Sequence, residues 1–164
     1  ICHILVYSRQ SCWPRVLQVT SRQLEHPQNN EAEYTPVHDK YELYTYVSLN
    51  LCRTQRSILA QLRCGILPLH IETGRFVRTS EDNRVCNVCN SGQIENETHF
   101  IFYCNMYKDQ RSKLYEAMQM KYMNFHNLDD NAKFCLLFTY EPRLFSKFVV
   151  NIFDMRQNCL YNVP

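Results

Sequence analysis

Arg84-Val-Cys86-Asn-Val-Cys89-Asn-Ser-Gly-Gln-Ile-Glu-Asn-Glu-Thr-His99-Phe-Ile-Phe-Tyr-Cys104 is the stretch on which the fold turns. Its pattern is C-x2-C-x9-H-x4-C: three thiols and one imidazole in the spacing of a structural zinc site, with two ligands from a tight turn and two from a later element. The second pair falls on a short helix, for which Asn96 is the N-cap and Glu97 and Thr98 form the first turn. On an ideal α-helix, residues five apart are about 140° around the axis from one another. His99 and Cys104 can therefore share an ion only if the helix tightens or ends at Cys104. A disulfide would need an oxidising compartment, for which these residues give no signal. A redox Cys-x-x-Cys would need a strand before it and a helix starting at it, and the charged loop around Val85 suggests neither. Cys86, Cys89, His99 and Cys104 are thus read as ligands of one structural Zn2+.

Outward from this turn, the composition fits a single modest domain. The 164 residues are 45% apolar and 13% aromatic, enough for a core. No stretch approaches the roughly 20 apolar residues of a membrane-spanning helix. Of the nine cysteines, Cys2, Cys12, Cys52, Cys64, Cys135 and Cys159 have no close partner in sequence, which suits buried free thiols of an intracellular protein. No second C-x2-C is present, which argues against a two-zinc cross-brace. The net charge is only +2, but Arg53, Arg56, Arg63, Arg75, Arg78 and Arg84 cluster against Glu72, Glu81 and Asp82. The first residue is Ile1, so the chain is expected to be a fragment of something longer.

Residues 1–40 are left unassigned: an apolar run at Ile4–Tyr7, then a polar stretch with Pro27 and Pro36 that reads as a linker. The domain is placed at 41–162. From Tyr41 to Leu51 the apolar residues alternate, favouring a short strand, though Leu43, Tyr44, Val47 and Leu51 also permit a helix. Residues 55–66 form an amphipathic helix (Ile58, Leu59, Leu62, Ile66), with Thr54 as cap and Gly65 and Pro68 at its end. Gly74 is read as the left-handed residue that stops the next short helix. A further helix covers Tyr107 to Tyr122. Another follows Asn127 as cap, with Asp129 and Asp130 in its first turn. The last begins at Pro142 and carries Leu144, Phe145, Phe148, Val149, Ile152, Phe153, Cys159 and Leu160. The fold expected is mainly α: four helices around one zinc turn, with room for a short N-terminal strand.

Taken together, Arg56 to Arg75 (with its Thr-Gly-Arg turn), Arg84-Val-Cys86-x2-Cys89 and Glu97-Thr-His99-Phe-x3-Cys104 resemble the zinc-binding region at the C-terminal end of non-LTR retrotransposon reverse transcriptases. The likeness covers roughly residues 41–160 and is sharpest from 53 to 115; Asn105 stands where that family often has proline. The resemblance implies an accessory module downstream of a polymerase domain, holding RNA or DNA, single-stranded or as a hybrid, with metal ligands at Cys86, Cys89, His99 and Cys104.

Catalysis is not expected of the chain itself. A polymerase needs an aromatic-x-Asp-Asp turn, whereas Asp129-Asp130 follows Asn127-Leu128 and reads as helix capping. Three cysteines and a histidine also fill a zinc ion's coordination and leave no place for water. Nucleic-acid binding is expected of Arg53, Arg56, Arg63, Arg75, Arg78 and Arg84, which suit phosphates, and of any exposed ring among Phe76, Phe100, Phe102, Tyr103 and Tyr107. Against it stands an interaction module in which zinc only clips helices together, even in a decayed element copy. In that case most of the rings are core, Arg63, Arg75 and Arg84 brace the loop through Glu72 or Asp82, and His70 is a satisfied packing residue.

Overall fold

Gly65 ends the first long helix as its sequence requires. It adopts the left-handed region (φ 65°), and the following Ile66 N–H reaches back to the Gln61 carbonyl at 3.0 Å. That helix belongs to a computed structural model that describes residues 45–161. In order, the helices are α1 (Thr45–Ser48), α2 (Arg53–Cys64), α3 (His70–Phe76), α4 (Lys108–Lys121), α5 (Asp130–Thr139) and α6 (Pro142–Tyr161). Among the described residues there is no strand, only an isolated antiparallel bridge between Val85 and Ile94. No helix among them is long and apolar enough to cross a membrane.

The C-terminal helix organises the core. Phe145, Phe148, Val149 and Ile152 of α6 are all buried, and α6 packs against α1, α2, α4 and α5. Ile58, Leu59 and Leu62 of α2, the helix packed on it, are buried as well. Burial of each such side chain is worth about 1.5–3 kcal/mol, so the apolar stripe of α6 is a main source of cohesion. The loop helices join through aromatic edges: Phe138 of α5 meets Phe145 at 5.0 Å between ring centres, and Tyr46 of α1 meets Phe138 at 6.4 Å.

Several boundaries differ from the sequence expectations, each for a local reason. The strand expected over 41–51 is replaced at 45–48 by a helical turn, which buries Tyr46 against α5 and leaves Val47 exposed. That is the opposite face from the one the alternation suggested. The N-cap of α2 is Cys52 rather than Thr54, its backbone N–H being taken by Gln55 Oε1 at 3.2 Å. Ile66 lies beyond the helix and is exposed. The cap of α5 is Asp129, whose Oδ1 accepts the Ala132 N–H at 2.6 Å; Asn127 belongs to a preceding turn.

Gly74 does not stop α3. It is buried within the helix because the side chain of Arg84 crosses it, and a Cβ at Gly74 would lie 2.8 Å from Arg84 Cγ. Residues 1–44, including the Ile4–Tyr7 run, and 162–164 lie outside the described residues.

Candidate metal centre

Two local devices bring the four ligand side chains together. The first is a small hairpin closed by the Val85–Ile94 bridge: the Cys86 N–H donates to the Gln93 carbonyl (2.8 Å) and the Glu95 N–H to the Arg84 carbonyl (2.9 Å). Asn90 and Gly92 take positive φ (51° and 73°) at its tip, where the chain reverses. Asparagine and glycine tolerate that conformation best.

The second device answers the angular problem of His99 and Cys104. Residues His99–Tyr103 form a π-helical turn, and the Cys104 N–H donates to the His99 carbonyl five residues back at 2.7 Å. Widening the turn in this way sets residues five apart almost above one another, as an α-helix does not. The helix is capped where the sequence indicated, since the His99 N–H donates to Asn96 Oδ1 at 2.8 Å. At its far end Arg111 donates to the Cys104 and Ile101 carbonyls (2.9 and 3.4 Å), and the Cys104 carbonyl also accepts the Tyr107 N–H at 3.2 Å. Phe100 anchors the turn against Tyr107 and Phe153 of α6, and Phe102 anchors it against Phe134 of α5.

The result is a cluster in which one ligand atom from each of Cys86, Cys89, His99 and Cys104 lies within 4.8 Å of all the others. Tetrahedral zinc with Zn–S bonds of about 2.3 Å needs its sulfurs about 3.8 Å apart, so little closure is required. Cys89 Sγ and His99 Nε2 are already 3.4 Å apart. His99 Nδ1 lies 2.8 Å from Gln93 Oε1, an acceptor only, which fixes the proton on Nδ1 and turns the Nε2 lone pair into the cluster.

Cys86, His99 and Cys104 are buried and Cys89 is half-buried. The contact with Cys104 pulls the Cys86 thiol well below the usual range, and the same contact together with burial pushes Cys104 above it. His99 is raised, chiefly by its contact with Cys86. A divalent cation would replace these shared protons, because metal-bound cysteines are thiolates. The donor set therefore fits one metal ion.

The remaining candidate residues divide. His70 is satisfied away from the cluster, its Nδ1 being 2.7 Å from the Val85 carbonyl. Arg84 braces the loop, but through backbone rather than acids: Nε and Nη2 donate to the Thr79 carbonyl (3.0 and 2.8 Å) and Nη1 to Ile71 (2.9 Å). Arg75 pairs with Glu72 at 2.7 Å. Arg63 is half-buried, and burial lowers its guanidinium to about 10. Arg53, Arg56 and Arg78 are exposed. Of the aromatic residues, Phe100, Phe102 and Tyr107 are core. Phe76 is 81% exposed, and Tyr103, 53% exposed, donates to Asp130 Oδ2 at 2.6 Å.

One feature beside the cluster escaped sequence reasoning. Glu95 and Arg156 form a buried, bidentate ion pair joining the hairpin to α6 (2.8 and 2.7 Å). A signal existed for half of it: Arg156 lies four residues after Ile152 and seven after Val149, on the apolar stripe, where a charge needs a buried partner.

Comparison with protein-family models, with curated proteins and with solved structures finds no match for the chain.

Proposed function

We propose that this chain is a non-catalytic, zinc-binding accessory module that holds single-stranded RNA or DNA, of the kind that lies downstream of the polymerase in non-LTR retrotransposon reverse transcriptases. Zinc is favoured over other metals by the donor set of three cysteine sulfurs and one imidazole, whose ligand atoms lie within 4.8 Å of one another. A closed set of four protein ligands suits a structural ion rather than a hydrolytic one.

The observation that carries the nucleic-acid reading is the first turn of α2. Arg53 and Arg56 are exposed there, one turn apart, with no acidic residue in that turn. Cations at a helix N-terminus oppose the helix dipole, typically by about 0.3–1 kcal/mol each, and a bound phosphate would reverse the sign of that term. The exposed ring of Phe76, between Arg75 and Arg78, supplies a surface on which an unpaired base can stack. Arg84 drops out of the binding set, because its guanidinium is engaged in bracing the loop.

Fluorescence anisotropy of the zinc-loaded chain with single-stranded RNA tests the proposal. Binding at low salt that weakens steeply as salt rises is expected, as is its loss in the double variant Arg53→Glu/Arg56→Glu. No binding at low salt overturns the nucleic-acid reading and leaves a module in which the metal serves only to hold helices together.

A further inference from the structure

The Glu95–Arg156 pair touches the metal cluster from the side of the C-terminal helix. Glu95 Oε1 lies 3.9 Å from Cys86 Sγ and accepts from Arg156 Nε at 2.8 Å. Glu95 Oε2 accepts from Arg156 Nη2 and from the His70 backbone N–H, both at 2.7 Å. The two residues are 1% and 5% exposed. Three thiolates and an imidazole around a divalent ion leave a net negative charge, and the Glu95 carboxylate places a second one directly beside Cys86. Like charges so close, away from water, repel strongly unless a cation stands with them. Arg156 is that cation. Burial works against its charge, yet the bidentate Glu95 contact holds its guanidinium above the ordinary value.

We propose that Arg156 is a positioning residue of the metal centre: the counter-cation that lets the Glu95 carboxylate and a metal-bound Cys86 thiolate remain neighbours. Docking of α6, which contributes no ligand, and loading of the metal are thereby one event. The inference rests on the reading of Cys86, Cys89, His99 and Cys104 as a metal site. It differs from a purely mechanical strap in one respect. A strap is weakened equally by losing either end, whereas the field at the sulfurs changes in opposite directions when the cation or the anion is removed.

The test uses the full chain saturated with Co2+, whose thiolate-to-metal charge-transfer band reports the field at the sulfurs independently of folding energetics. Arg156→Met should move the band to longer wavelength, because electrons on the thiolates become easier to remove. Glu95→Gln should move it to shorter wavelength, and Arg156→Lys, which keeps the charge, should leave it near the parent position. In competition with a chelator, Arg156→Met should also bind metal about 10–100-fold more weakly, because it leaves the Glu95 carboxylate that touches Cys86 without its cation and so disturbs the outer shell of a ligand, and Arg156→Lys should recover part of that loss. Bands that stay in place, or that move the same way in Arg156→Met and Glu95→Gln, overturn the proposal while leaving the metal site standing. A parent chain that gives no Co2+ charge-transfer band overturns both.

Discussion

Gly74→Ala puts two opposing effects against each other at one position. Gly74 lies inside α3 rather than at its end, so by helix propensity alone alanine should stabilise the chain by about 1 kcal/mol. The added Cβ, however, would lie 2.8 Å from Arg84 Cγ and 3.0 Å from Cδ. Such overpacking costs about 1–3 kcal/mol. Arg84 cannot swing aside cheaply, because its three nitrogens are held by the Thr79 and Ile71 carbonyls. Hydrogen bonds involving a charged group are worth about 1.5–3 kcal/mol each. The balance is a net loss of up to about 2 kcal/mol in the parent. In an Arg84→Ala background the obstruction is gone, and Gly74→Ala should instead gain up to about 1 kcal/mol. Denaturant unfolding of the four metal-saturated proteins measures the difference, expected as a coupling of about 1–3 kcal/mol. If Gly74→Ala stabilises both backgrounds equally, the packing argument is wrong. If it destabilises both equally, the backbone at Gly74 is left-handed and the helix ends there after all.

Other outcomes follow from the same contacts. Removing the metal with a chelator should unfold the described domain, since structural zinc in small domains contributes about 10–16 kcal/mol of apparent free energy against a typical total stability of about 5–15 kcal/mol. Far-ultraviolet circular dichroism that keeps its helical signal after chelation would refute this. Phe100→Ala should cost about 3–5 kcal/mol and weaken metal binding as well, because Phe100 seats the π-turn carrying His99 and Cys104 on Tyr107 and Phe153. Retained metal affinity in that variant would show that the turn holds its shape without the ring. Asp129→Ala should remove the cap of α5 and cost about 0.5–2 kcal/mol with a smaller loss of metal affinity than Phe100→Ala, since α5 meets the π-turn only through Phe134 and the exposed Asp130–Tyr103 bond; thermal melting and chelator competition read the two effects separately.

The sequence by itself determined what depends on near neighbours along the chain. The four ligand positions could be read because a C-x2-C turn and a His-x4-Cys segment each set their own geometry locally. The helical character could be read because apolar spacing at Ile58, Leu59 and Leu62 and along Phe145 to Ile152 follows the helix period. Gly65 and Asn96 were legible for the same reason, as each acts on the backbone beside it. Even the difficulty at Cys104 could be foreseen, though not the π-turn that resolves it.

Only the tertiary structure decided the features that depend on residues far apart. Gly74 is small because of Arg84, ten positions on, not because of its own backbone angle. Tyr46 chose its face from Phe138. Arg84 proved to be a brace and Phe76 an exposed ring, although neighbouring sequence treats both as members of one basic, aromatic stretch. The pairing of Glu95 with Arg156 spans 61 positions, and no local pattern names the carboxylate that a buried guanidinium will find. Local spacing fixes the ligands of the metal centre, whereas the charges that surround it are set by which helix packs against it.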